Sequence, residues 1–119
     1  MAEFVHFDLP ADDLDRAMKF YSDVFDWKFE KTPMDYYFIS QGDREGSLRG
    51  GMGKRGAPGQ SITNFIGVER LENYIEKVEN AGGKVFSPIQ TVPGFGRMTI
   101  CLDTEGNSIG LWEEDPNVK

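Results

Sequence analysis

Cysteine, histidine and basic charge are all scarce in this chain of 119 residues, and each scarcity closes off a class of function. A single cysteine, Cys101, rules out an intramolecular disulfide, and the expected setting is cytoplasmic. A single histidine, His6, excludes any one-chain mechanism that needs two, including the two-His-one-carboxylate iron site and the HExxH zinc site. A formal net charge of −7 argues against a nucleic-acid partner, which calls for a basic face to neutralise phosphates. No apolar run approaches the roughly 20 residues of a membrane span. The opening MAEFVHFDL has neither a basic region nor a cleavage-site pattern, so no signal peptide is expected.

What is present begins with an internal repeat. Leu14, Ala17, Met18, Tyr21 and Val24 follow the spacing of one buried helical face. Leu71, Tyr74, Ile75, Val78 and Ala81 repeat that spacing 57 residues later. The flanks agree. Val5-His6-Phe7-Asp8-Leu9 alternates as a half-buried strand does, and Ile62-Thr63-Asn64-Phe65-Ile66 stands at the same offset. Asp12 and Asp13 offer an N-cap to the first helix, and Gly82-Gly83 ends the second. Each helix is followed by chain for three strands, at about residues 27–32, 35–41 and 47–52, then 84–90, 96–103 and 108–114.

Asp103-Thr104-Glu105-Gly106-Asn107 reads as a tight turn, with Gly106 or Asn107 at positive φ. Pro88 and Pro93-Gly94-Phe95-Gly96 mark a longer loop. The reading is an α+β fold of two tandem βαβββ modules in one domain over 1–119. The first module covers 1–53, a Gly- and Pro-rich linker 54–60, the second module 61–115 and a tail 116–119. Arg44, Arg49, Lys54 and Arg55 gather near the glycine-rich stretch, either as a solvated loop or as a cationic rim for an anionic ligand.

With the repeat in place, the chain resembles the glyoxalase/bleomycin-resistance/dioxygenase family, the vicinal oxygen chelate superfamily. The resemblance rests on His6-Phe7-Asp8-Leu9-Pro10, Asp13-Leu14-Asp15-Arg16-Ala17, Phe20-Tyr21 and Val24-Phe25-Asp26-Trp27. In the second half it rests on Val78-Glu79-Asn80-Ala81-Gly82-Gly83 and on the run from Asp103 to Glu113. It implies a curled mixed sheet with helices outside, a concave ligand cleft and a homodimer. It also implies metal donors on the first and fourth strand of each module. Here those positions fall on His6, on Gly50 or Arg49, on Thr63 and on Gly110, so only one of the four offers a donor. Glu45, Glu113 and Glu114 are the available substitutes; parity turns Glu113 toward the helices or the edge, and Glu114 lies near the strand's end.

The expectation is therefore a metal-free, cofactor-free protein that binds a small molecule and neither nucleic acid nor membrane. Phe4, His6, Thr63, Phe65 and Trp112 line the expected cleft, with Arg49 and one of Tyr36 or Tyr37. Glycine at 50 and 110 is expected to deepen it. The alternative is a glyoxalase-like lyase, isomerase or epimerase that moves a proton with His6 as base. Cys101 reads as a small buried hydrophobe rather than a nucleophile.

Overall fold

A computed structural model describes residues 2–42, 48–56 and 59–119. The chain divides into two compact units, His6–Ile62 and Thr63–Lys119, the latter together with the first residues up to Val5. Among the described residues the order is β1 (Glu3–Ala11), α1 (Leu14–Phe25), β2 (Lys28–Lys31), β3 (Tyr36–Ser40) and β4 (Arg49–Lys54). It continues with β5 (Thr63–Gly67), α2 (Leu71–Asn80), β6 (Lys84–Val85), β7 (Gln90–Val92), β8 (Gly96–Leu102) and β9 (Ser108–Glu114). The α+β class and the tandem repeat stand.

In the unit His6–Ile62 the strands lie in the order β2-β3-β4-β1. The first two pairings are antiparallel and β4–β1 is parallel, so the sheet is mixed. Helix α1 starts where Asp13 turns out of helical geometry and its carboxylate accepts the Arg16 N–H at 3.0 Å. The helix ends at Asp26, a non-glycine residue at φ 60, which the sequence did not flag. Leu14, Ala17, Met18 and Tyr21 pack on Leu9, Ala11, Ile39 and Met52. Val24, expected on that buried face, is 56% exposed instead. At 100° per residue it sits about 80° from Leu14 around the helix. Trp27 covers the last turn in its place, stacked on Tyr21 at 4.9 Å and 6°.

In the other unit the order is β5-β9-β8-β6, with β7 also on β8. Leu71, Tyr74, Ile75 and Val78 of α2 pack on Ile66, Val68, Cys101 and Leu111; Ala81 caps the helix instead of joining them. The single strand expected over 84–90 is broken. Both β6 and β7 pair antiparallel with β8, and Ser87-Pro88-Ile89 lies between them because proline cannot donate to the ladder. Backbone and side chains together bridge the gap, with the Ile100 carbonyl accepting the Phe86 N–H at 2.8 Å. Thr99 Oγ1 donates to the Ser87 carbonyl at 2.7 Å, and Ser87 Oγ accepts the Ile100 N–H at 3.0 Å.

Two other connections differ from expectation or refine it. The Pro93–Gly96 stretch is a tight reversal, not a long loop. Phe95 N–H donates to the Val92 carbonyl at 2.9 Å, and Gly94 N–H reaches the Val118 carbonyl at 2.8 Å, so the 116–119 tail is tied to it. In the β8–β9 turn, Asp103 accepts from the backbone of Glu105 and Asn107 and from Asn107 Nδ2, while Gly106 takes φ 83.

Helix α2 is capped from outside itself. Arg70 at its N-cap offers no side-chain bond, and Glu113 of β9 accepts the Leu71 N–H at 2.9 Å. Arg97 donates to both Glu113 and Glu72. Glu113 therefore faces the helix, one of the two directions its parity allowed. The hydrogen bonds from Arg97, with its charge, bring the Glu72 carboxyl from 4.5 down to about 2. A depressed folded-state pKa stabilises above the unfolded value and ceases to do so as pH falls through the folded one. Urea titrations between pH 5 and about 2 should show stability falling with acid. Glu72→Gln should flatten that slope, and an unchanged slope would show that the pair contributes nothing.

Candidate functional site

Strand register decides which side chains share a face. In the His6–Ile62 unit, Phe7, Leu9, Ala11, Ile39 and Met52 point to α1. Alternation then puts His6 and Asp8 of β1, Tyr36 and Phe38 of β3, and Arg49 and Gly51 of β4 on the opposite, open face. The register agrees, pairing His6 with Arg49, Asp8 with Gly51 and Gly51 with Phe38.

Three polar atoms converge there. Tyr36 Oη donates to Asp8 Oδ1 at 2.6 Å. His6 Nε2 lies 2.9 Å from that same oxygen and 2.8 Å from the Tyr36 hydroxyl. The His6 and Asp8 side chains are 25% and 34% exposed, so the cluster is reachable from solvent. Burial, followed by the charge of Asp8 and its hydrogen bond, holds the Tyr36 phenol well above the ordinary tyrosine range. It stays a hydrogen-bond donor at any physiological pH.

The seat of that phenol is a glycine. A Cβ at Gly51 would stand 1.5 Å from Tyr36 Oη and 2.0 Å from its Cζ. Only a residue without a side chain lets the ring lie across β4. The sequence reading placed the open glycine at 50. Gly50 instead pairs with Phe7, and a Cβ there would be 2.1 Å from the Phe7 ring on the helix side. Gly110 does not deepen a cavity either, because the Phe65 ring fills its place at 2.2 Å from where a Cβ would be.

In the other unit Thr63 and Phe65 are buried, Trp112 is half-buried and Phe4 is exposed. Thr63 Oγ1 shares a hydrogen bond with Ser108 Oγ at 2.9 Å. Phe65 and Gly110 are partners across β5 and β9, and Trp112 pairs with Gly67 and Met98. Cys101 is fully buried, and burial raises its thiol, so it has the character of a core residue.

Arg49 is exposed beside His6, whereas Arg55 is committed to structure through Asp12 at 2.9 Å and the Gln60 carbonyl. Arg44 and Glu45 lie outside the described residues. Glu114 is exposed at the end of β9.

At the four positions where the resemblance puts metal donors stand an imidazole, an arginine or a glycine, a hydroxyl already bonded to serine, and a glycine under a phenyl ring. Such a set does not fit a divalent metal centre, which takes three or four N, O or S ligands. Among the described residues no three His, Cys, Asp or Glu side chains gather elsewhere. Tyr36 and Asp8 are the members of the polar cluster that sequence reasoning did not fix. Asp8 was visible only as a neighbour of His6 in the alternation, and Tyr36 was not separable from Tyr37.

Comparison with known proteins bears on this arrangement. A family model described as Glyoxalase/Bleomycin resistance protein/Dioxygenase superfamily matches residues 3–111. The chain is 28% identical to the putative glyoxylase CFP32 of Mycobacterium tuberculosis over 118 residues, covering 93% of this chain and 45% of that protein. It thus spans about half the length of that relative. A glyoxylase-like domain-containing protein of Didymella fabae is 33% identical over 112 residues, covering 85% of each. Among solved structures, a methylmalonyl-CoA epimerase from Mycobacterium tuberculosis superimposes with a TM-score of 0.65 at 17% identity, over 95% of this chain and 88% of that one. At that identity the likeness is one of fold. No helix among the described residues is long and apolar enough to cross a membrane.

Proposed function

The chain belongs to the glyoxalase/bleomycin resistance protein/dioxygenase superfamily, and from that premise we propose that it binds a small organic molecule on the open face around His6, with no metal at the family's positions. The observation that carries this reading is the convergence of His6, Asp8 and Tyr36 on a half-exposed face, beside Phe38 at 42% exposure. A few fixed polar groups among aromatic surface are what orient a small ligand. Arg49 is assigned to an anionic part of that ligand. Phe38 offers that ligand an aromatic contact. The proposal includes a homodimer in the cytoplasm, from the family resemblance and the near absence of cysteine.

A second reading, proton transfer with His6 as base, draws on the same cluster, since an imidazole bonded to a carboxylate is the usual equipment for moving a proton. The fold is shared with a protein named an epimerase, which is consistent with that chemistry. One experiment separates the two. Binding is followed by calorimetry while a panel of aromatic and carboxylate metabolites is titrated, and each hit is then assayed for turnover. Arg49→Ala should weaken binding of a carboxylate ligand about tenfold, a change of about 1.4 kcal/mol. His6→Ala should abolish turnover while affinity stays within a few-fold if the protein is an enzyme. A binder has no turnover to lose. Absence of any saturable ligand for the wild type would end both readings.

A further inference from the structure

Resting on the reading of this face as the ligand site, we infer that Asp8 and Tyr36 are positioning residues that keep the hydrogen of His6 on Nε2, so that the ring takes up any further proton at Nδ1. Tyr36 has one hydroxyl hydrogen, and at 2.6 Å it goes to Asp8 Oδ1. The Asp8 carboxylate has only lone pairs to offer. If Nε2 were bare, its own lone pair would face that oxygen at 2.9 Å and the tyrosine oxygen at 2.8 Å with no hydrogen left to share. An N–H at Nε2 satisfies both distances as one forked donor.

The geometry also resists rearrangement. Asp8 and His6 are two residues apart on one strand and so project from the same face. Tyr36 reaches them from β3 only because Gly51 leaves its path open. A neutral ring so held accepts a proton at Nδ1, while the electron pair of the broken bond stays on the ligand. The resulting imidazolium lies against the Asp8 carboxylate, which offsets its charge. The ligand class this implies is a small molecule that brings an acidic C–H, N–H or O–H group to this imidazole.

The chain has one histidine, so a nitrogen-15 spectrum of the intact protein contains a single imidazole and needs no assignment. At a pH where the ring is neutral, the one-bond proton should appear on Nε2, protected from exchange, with Nδ1 unprotonated. In Asp8→Asn and in Tyr36→Phe, both with unchanged circular dichroism, that proton resonance should move and exchange faster. A proton found on Nδ1, or an Nε2–H signal indifferent to both substitutions, overturns the inference. An Nε2–H signal that behaves as expected in a protein with no ligand supports the proton's placement and sinks only the ligand reading.

Discussion

Replacing Gly51 by alanine is expected to evict the Tyr36 phenol from the cluster. The new methyl would stand 1.5 Å from Oη and 2.0 Å from Cζ, well inside any contact distance, so the ring must leave or β4 must part from β3. The ring is the softer element, since it is half-buried and its neighbour Phe38 is partly in solvent. Once out, the phenol loses its bond to Asp8 and the burial that raised it, and it should titrate in the ordinary tyrosine range near about 10. Alkaline difference spectroscopy reads this directly. In the wild type the Tyr36 phenol should resist titration, and in Gly51→Ala it should not. The overpacking and the lost hydrogen bonds together should cost roughly 2–4 kcal/mol. If Tyr36 still resists alkali in Gly51→Ala, the strand has yielded and the glycine is not what seats the ring.

Gly110→Ala should be as damaging, for a different reason. Its methyl would lie 2.2 Å from Cδ2 of Phe65, a ring that is only 3% exposed and has no route to solvent. Neither partner can give way cheaply, because Phe65 and Gly110 are fixed opposite one another across β5 and β9. A loss of about 2–3 kcal/mol is expected. It should appear as a lower urea midpoint at unchanged slope and a fall in Tm on the order of 10 °C. Adding Phe65→Leu should restore part of the loss, since the smaller side chain vacates the place the methyl needs. A single variant as stable as the wild type would mean that the ring has another resting position.

Both predictions concern glycines whose role the sequence could not assign. From the sequence, Gly50 and Gly51 are adjacent glycines on one strand, and nothing local says which faces the ligand side. A shift of one residue in strand register exchanges the two faces. The parallel pairing of β1 with β4, which sets His6 opposite Arg49 and Asp8 opposite Gly51, settles the question and reverses the expectation for Gly50. The same limit applied to Tyr36 and Tyr37. Glu113 shows the opposite case: alternation along β9 was enough to turn it to the helices or the edge, and the structure adds that it caps α2. Val24 shows where periodicity misleads, since a residue at the margin of the apolar stripe can be displaced by a ring from outside the helix, here Trp27.

The sequence by itself determined the duplicated βαβββ plan, the strand alternation that points His6 away from α1, and the poverty of metal donors. These are properties of local period and residue type, which the chain carries wherever it goes. Tertiary structure alone decided that a tyrosine 30 residues away closes on His6, that Gly51 makes room for it, and that Phe65 fills the space above Gly110. Those outcomes depend on register and on the packing of segments distant in sequence. No local pattern encodes them, because each is a contact between two residues that are unremarkable until the strands are laid side by side.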